Sequence, residues 1–279
     1  MSVYAFDDIK TNAGIIKALL IRNPLTLADA EGPTNSGILP QPEVLTALQS
    51  WTQANGPQIL WIHGLDGEKH RKSFTNLVKV VVANAGDFEV NTMYFSCDPY
   101  SEEYSHAGSD EEVQKRCLLD LTYVLIWQLV QILPHSSRVD GDFSVARFNT
   151  CNEDYNSVKG AVTILQDLLE VVPPIAIVVI DGIERLSHPV VEPVVNYILQ
   201  LLALYTKEPD VEVVRENVSP DSNSSSNKGD KSLKMLFATV GPCQALAELY
   251  ELYEDRMKKV PVSWQKWHQY SKDVDLFRQ

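Results

Sequence analysis

The sequence predicts an α/β layered fold with a mainly parallel central sheet, preceded by an N-terminal helical segment. Short β-branched apolar runs alternate with helical stretches of roughly 12 to 20 residues, the signature of helices laid on a parallel sheet. The run at 174–180, PIAIVVI, is apolar throughout, as a strand buried on both faces should be. With 44% hydrophobic and 22% charged residues in 279, the chain suits one large domain or two small ones at roughly 150 residues each. That composition excludes a wholly disordered or fibrous chain.

The elements follow in order. Ile9, Ile15, Ile16, Leu19 and Leu20 give a partial apolar face to a helix over 7–22. Asn23-Pro24 and the run at 31–42, EGPTNSGILPQP, have the composition of an exposed connection. Val44, Leu45, Leu48 and Trp51 mark a short helix over 43–52. The apolar run QILWIH at 58–63 predicts a strand closed by Gly64, then a loop, then a helix from Lys72 to about Ala85. EVNTMYFS at 89–96 predicts a second strand, and a long helix over 110–133 starts from a cap at Ser109 and Asp110. Another helix covers 153–171, and the strand 174–180 leads to a helix over 188–206 that tolerates Pro189 in its first turn. Residues 207–231 are rich in Ser, Asn, Asp and Pro and predict a disordered insertion, because strand character resumes at 233–240, LKMLFATV. A helix over 244–253 and a mixed, charged tail with Trp264 and Trp267 complete the chain.

Charge and cysteine usage narrow the function. Lys and Arg total 24 against 37 Asp and Glu, a net charge of −13 that disfavours a phosphate-tracking nucleic-acid binder. The N-terminus shows no secretory signal, and the four scattered cysteines lack metal-ligand spacing, so reduced thiols in a cytoplasmic protein are expected. The uncharged stretch 121–137 approaches membrane-span length, but Gln128, Gln131 and Pro134 interrupt it. A buried amphipathic helix explains it better, and no membrane partner is expected. The six histidines show no paired ligand spacing, and no G-x-S-x-G is present.

In a parallel sheet, ligands sit at the carboxyl ends of the strands, so the loops after His63, Ile180 and Val240 are where chemistry belongs. A phosphate-binding loop needs glycines for close backbone approach, a Lys for the β/γ-phosphates and a Ser or Thr hydroxyl for Mg²⁺. Gly64, Gly67, Lys72 and Ser73 supply those residue types between a strand and a helix start. The spacing departs from Gly-x4-Gly-Lys-[Ser/Thr]: Gly64 stands eight residues before Lys72, and Arg71 replaces the last glycine. The strand 174–180 then delivers Asp181, the residue type that holds Mg²⁺ opposite such a loop, with Glu184 three residues on to orient a water.

These motifs in this order resemble the NACHT branch of the STAND nucleotide-binding proteins, especially the nephrocystin-like domains of fungi. The resemblance covers about residues 43 to 250. It rests on Trp51 before the strand Ile59-Leu60-Trp61-Ile62-His63-Gly64, on Tyr94-Phe95-Ser96, on the Leu-rich stretch 118–133, and on Asp181-Gly182-Ile183-Glu184 as a Walker B pattern. Ala238-Thr239-Val240-Gly241-Pro242 stands where the family's sensor strand ends Thr-Ser-Arg-Pro.

The resemblance implies a three-layer P-loop NTPase-like fold over 43–255, with 1–42 as helical segment and linker and 256–279 as tail. It implies ATP or GTP with Mg²⁺, held by Gly64, Gly67, Lys72 and Ser73, with Asp181 and Ser73 on the metal and Glu184 and Thr239 as catalytic residues. It also implies that the Asp181 strand lies beside the strand ending at His63. Three departures point to a degenerate site: the missing Walker A glycine in a longer loop, Arg185 at the second acidic position, and Gly241 in the place of the sensor Arg. Two readings follow. One is a nucleotide-binding switch with weak or absent hydrolysis. The other is a pseudo-NTPase scaffold for protein partners or self-association. An unrelated α/β enzyme has no residues to carry it.

Overall fold

The computed structural model describes residues 3–20, 42–53, 56, 58–64, 68–97, 109–135, 138–173, 175–206 and 232–262. The expected insertion at 207–231, the connection up to residue 41 and the two tail tryptophans lie outside them.

Five strands form one parallel sheet: β2 (Ile59–Gly64), β3 (Asn91–Ser96), β5 (Ile175–Asp181), β6 (Ser232–Val240) and β7 (Met257–Val262). Their order is β3-β5-β6-β2-β7. The four expected strands therefore share a sheet. The expected neighbour relation is corrected: β6 pairs with both β2 and β5 and so stands between the Asp181 strand and the His63 strand. Local patterning shows which residues are strands but not which strands pair, since pairing is decided by contacts remote in sequence.

Alternation along the strands divides the interior in two. One face carries Leu60, Ile62, Ile177, Val179, Leu236 and Ala238 against α3 (Pro42–Thr52) and α4 (Glu68–Asp87). The other carries Trp61, Val178, Ile180, Met235 and Phe237 in one cluster with α5 (Asp110–Ile132), α7 (Val158–Leu169), α8 (Glu192–Leu204) and α9 (Gln244–Leu252). Helices thus cover both faces of the sheet. Both edges are blunted. At β3, Gln128 of α5 pairs with the Tyr94 backbone, its Oε1 accepting from Tyr94 N at 2.8 Å and its Nε2 donating to Tyr94 O at 3.0 Å. At β7, exposed Lys258 and Lys259 and the donor-less Pro261 discourage further pairing.

The N-terminal helix is two. Phe6–Asn12 (α1) and Gly14–Leu20 (α2) are separated at Ala13, and Asn12 Nδ2 donates to Phe143 O at 2.7 Å. Before them β1 (Val3–Ala5) pairs antiparallel with β4 (Arg138–Asp140), and Phe6, Ile9 and Ile16 join the α5 cluster. A four-residue α6 (Val145–Phe148) and a 3-10 turn at Tyr155–Ser157 precede α7 where one helix over 153–171 was expected. The cap at Ser109 is present: its side chain accepts from Glu112 N at 3.3 Å. Among the described residues no helix is long and apolar enough to cross a membrane.

Candidate functional site

β5 ends on Asp181, which points to the α4 side of the sheet and is 3% exposed. Its Oδ2 accepts from Thr75 Oγ1 of α4 at 2.9 Å and from Ser96 Oγ, its register partner on β3, at 3.3 Å. A carboxylate buried this deeply needs such donors, because desolvation without them costs several kcal/mol, on the order of the penalty for an unpaired buried ion.

Gly182 then turns the chain with φ 77°, a left-handed conformation that costs a side-chain-bearing residue roughly 1–2 kcal/mol. Its N–H donates to Ala238 O at 2.9 Å, holding the turn against β6. The 3-10 turn Ile183–Arg185 brings Glu184 back over the strand ends. There Glu184 Oε1 accepts from Val240 N at 3.1 Å and forms an ion pair with Arg71 Nη1 at 3.2 Å. The Glu184 side chain is 8% exposed and that of Arg71 20%.

Arg71 and Thr75 stand four residues apart on α4, one turn on the same helical face, and that face meets the end of β5. The geometry follows from where α4 begins. The helix starts at Glu68, so only residues 65–67 separate it from β2, and the expected helix start at Lys72 is corrected. The clustered charges of Glu68-Lys69-His70-Arg71-Lys72 read as loop, yet none of them breaks a helix, and an acidic residue at the first position complements the helix dipole.

The expected site residues fall into three groups. Asp181 and Glu184 are together at the strand ends. Gly64 closes β2 there, its carbonyl accepting from the N–H of Gly241, whose φ is 94°. Gly67 lies outside the described residues. Lys72 and Ser73 are on α4, but their side chains are outside the described atoms. Thr239 is elsewhere: it alternates with Ala238 onto the opposite face from Asp181, is fully buried, and its Oγ1 accepts from Trp61 Nε1 at 2.9 Å. On that face Lys259 Nζ lies 4.2 Å from the Trp61 ring centroid and the His63 ring 5.3 Å from it. Burial, and then the Lys259 charge, hold the His63 imidazole below its ordinary pKa, favouring the neutral ring.

Two buried thiols, Cys97 and Cys243, lie near the carboxylates. Burial pushes the Cys97 thiol well up, followed by its contact with Cys117, and the Glu184 and Asp181 charges act the same way. Cys243, at the start of α9, is pushed up to about 12 by burial, with Glu184 adding to it. The raised pKa of Cys97 and of Cys243 favours the protonated thiol, the weaker nucleophile. Among the described residues no group of three or more His, Cys, Asp or Glu is arranged to hold a metal ion.

Sequence reasoning missed Thr75 and the role of Arg71. The signal was available: an Arg and a Thr at i and i+4 near a helix start share one face, but only a correct helix start makes that face the one toward β5. No model of a known protein family matches the chain, and no curated protein matches it significantly.

Proposed function

We propose that the chain is a NACHT/STAND-like pseudo-NTPase domain, a P-loop-type fold whose strand-end site does not hydrolyse ATP or GTP and which serves as a scaffold for protein–protein contact. One observation carries this reading: Glu184, the carboxylate that would orient an attacking water, is instead ion-paired to Arg71 and hydrogen-bonded to the Val240 backbone. A general base must be within hydrogen-bond reach of the proton it takes. Its two bonds hold Glu184 Oε1 against Arg71 and the end of β6. The α/β architecture and the Asp181–Gly182–Ile183–Glu184 turn support the family resemblance on which the name rests.

A nucleotide-binding switch is the second reading, favoured by Gly64 at the end of β2 and by Lys72 and Ser73 near the start of α4. One titration separates the two. Purified protein is titrated with fluorescent ATP and GTP in the presence of Mg²⁺. The scaffold predicts no saturable binding up to millimolar nucleotide. Saturable binding that Lys72→Ala abolishes would overturn it in favour of the switch.

A further inference from the structure

Two cysteines twenty positions apart in sequence meet beside the candidate site. Cys97 is the first residue after β3 and is fully buried; Cys117 lies on α5 and is 2% exposed. Both belong to the cluster between the sheet and α5, and their side chains are in contact. Cys97 is fixed through its backbone as well: its N–H donates to Asp181 O at 2.8 Å, which carries the β3–β5 ladder one residue past the end of β3. The other two cysteines have different surroundings, Cys151 against the Tyr123 hydroxyl and Cys243 at the start of α9. As a nucleophile or a metal ligand, a cysteine acts as its thiolate. Burial and the Asp181 and Glu184 carboxylates disfavour that charged form at Cys97. A disulfide carries no charge, so the same apolar surroundings that oppose a thiolate accept it.

We propose that Cys97 and Cys117 form a reversible disulfide, a redox-sensitive latch that ties the end of β3 to α5 beside the candidate site. The co-reactant is a small-molecule disulfide. One cysteine loses its proton to water and its sulfur attacks the small disulfide, breaking that S–S bond and releasing one small thiolate. The second cysteine, deprotonated in turn, attacks the cysteine sulfur of the mixed disulfide, forming the Cys97–Cys117 bond and expelling the second small thiolate. Two protein thiols are oxidised, and one small disulfide is reduced to two thiols. Because both sulfurs are buried, exchange takes place as β3 and α5 part locally. Once formed, the bond fixes the strand end from which Ser96 Oγ donates to Asp181. The latch stands whether or not the site binds nucleotide.

The test is a redox equilibrium on the full chain, with glutathione and glutathione disulfide as the probe. Reduced and oxidised protein are each refolded from urea into buffers of fixed glutathione ratio, and the same buffers containing urea give the unfolded reference. Free thiols are trapped with N-ethylmaleimide, and disulfides are mapped by peptide mass spectrometry. Cys97–Cys117 is expected in preference to any other pairing of the four cysteines. Its equilibrium constant should be at least about tenfold larger in native buffer than in urea, because a bond that fits the fold is favoured by folding as much as it stabilises the fold. The oxidised chain should melt about 5 °C or more above the reduced one, and dithiothreitol should reverse the shift. Cys117→Ser is expected to remove both effects; if it does not fold, Cys117→Ala, which keeps the site apolar, takes its place. Thiols that only pack together predict a constant no larger in native buffer than in urea, and that result, or another cysteine as the preferred partner of Cys97, would overturn the proposal. Both readings come from the wild type, so neither depends on a variant.

Discussion

Lys234 shows how a single buried polar side chain can be fixed by what surrounds it. It sits in β6, 8% exposed, and its ammonium donates to Trp51 O and to Gln53 O, carbonyls at the end of α3 that have no partner within the helix. Burial lowers its pKa to about 8 from the ordinary 10.5. Between those values the unfolded chain binds more protons at this position than the folded one, so stability from this group rises as pH climbs from about 8 to 10.5 and is lost on the way down. Urea denaturation of the wild type should therefore show a gain in unfolding free energy between pH 8 and pH 10 relative to Lys234→Met. Parallel pH profiles for the two proteins would refute it. Thr75 makes a second test at this scale. Thr75→Val keeps the shape but removes a hydroxyl from the buried Asp181 carboxylate, a loss of about 1–3 kcal/mol in unfolding free energy. A change under a few tenths of a kcal/mol would mean the bond to Asp181 matters little.

Among the elements, those that a sequence can announce are those whose burial is written in consecutive residues. β2, β5 and β6 are apolar runs buried on both faces, and α5 carries its start signal in Ser109 followed by three acidic residues. β1 and β4 are three residues each and bury little, so their pairing depends on partners more than 130 positions apart and leaves no local pattern. β7 was read as charged tail because Lys258, Lys259 and Pro261 interrupt its apolar positions; the same residues suit it to an edge. The opposite edge depends on α5. Gln128 supplies both a donor and an acceptor to the Tyr94 backbone, and Gln128→Leu would leave both groups without that partner in a half-buried place. The expected cost is about 1–3 kcal/mol in unfolding free energy by urea denaturation, with faster amide exchange at Tyr94. Unchanged exchange at that amide would show that the edge is held by other contacts.

For the whole molecule, the sheet brings residues from three separate stretches of sequence, near positions 71, 181 and 240, to the carboxyl ends of its strands. The types at those ends were legible: a strand-end Asp, an acidic residue three positions on, and Lys72-Ser73 near a helix start. Their pairing was not, because it depends on the turn at which α4 begins and on β6 entering between β2 and β5. That pairing is what the proposed pseudo-NTPase reading rests on, since it holds Glu184 against Arg71 where a carboxylate would orient a water. Phosphate release from ATP and GTP in the presence of Mg²⁺, followed for the wild type beside Asp181→Ala and Glu184→Gln, tests this most directly. The expected result is release no faster than the protein-free background for all three proteins. Brisk release by the wild type that Glu184→Gln eliminates would contradict it and restore a working NTPase.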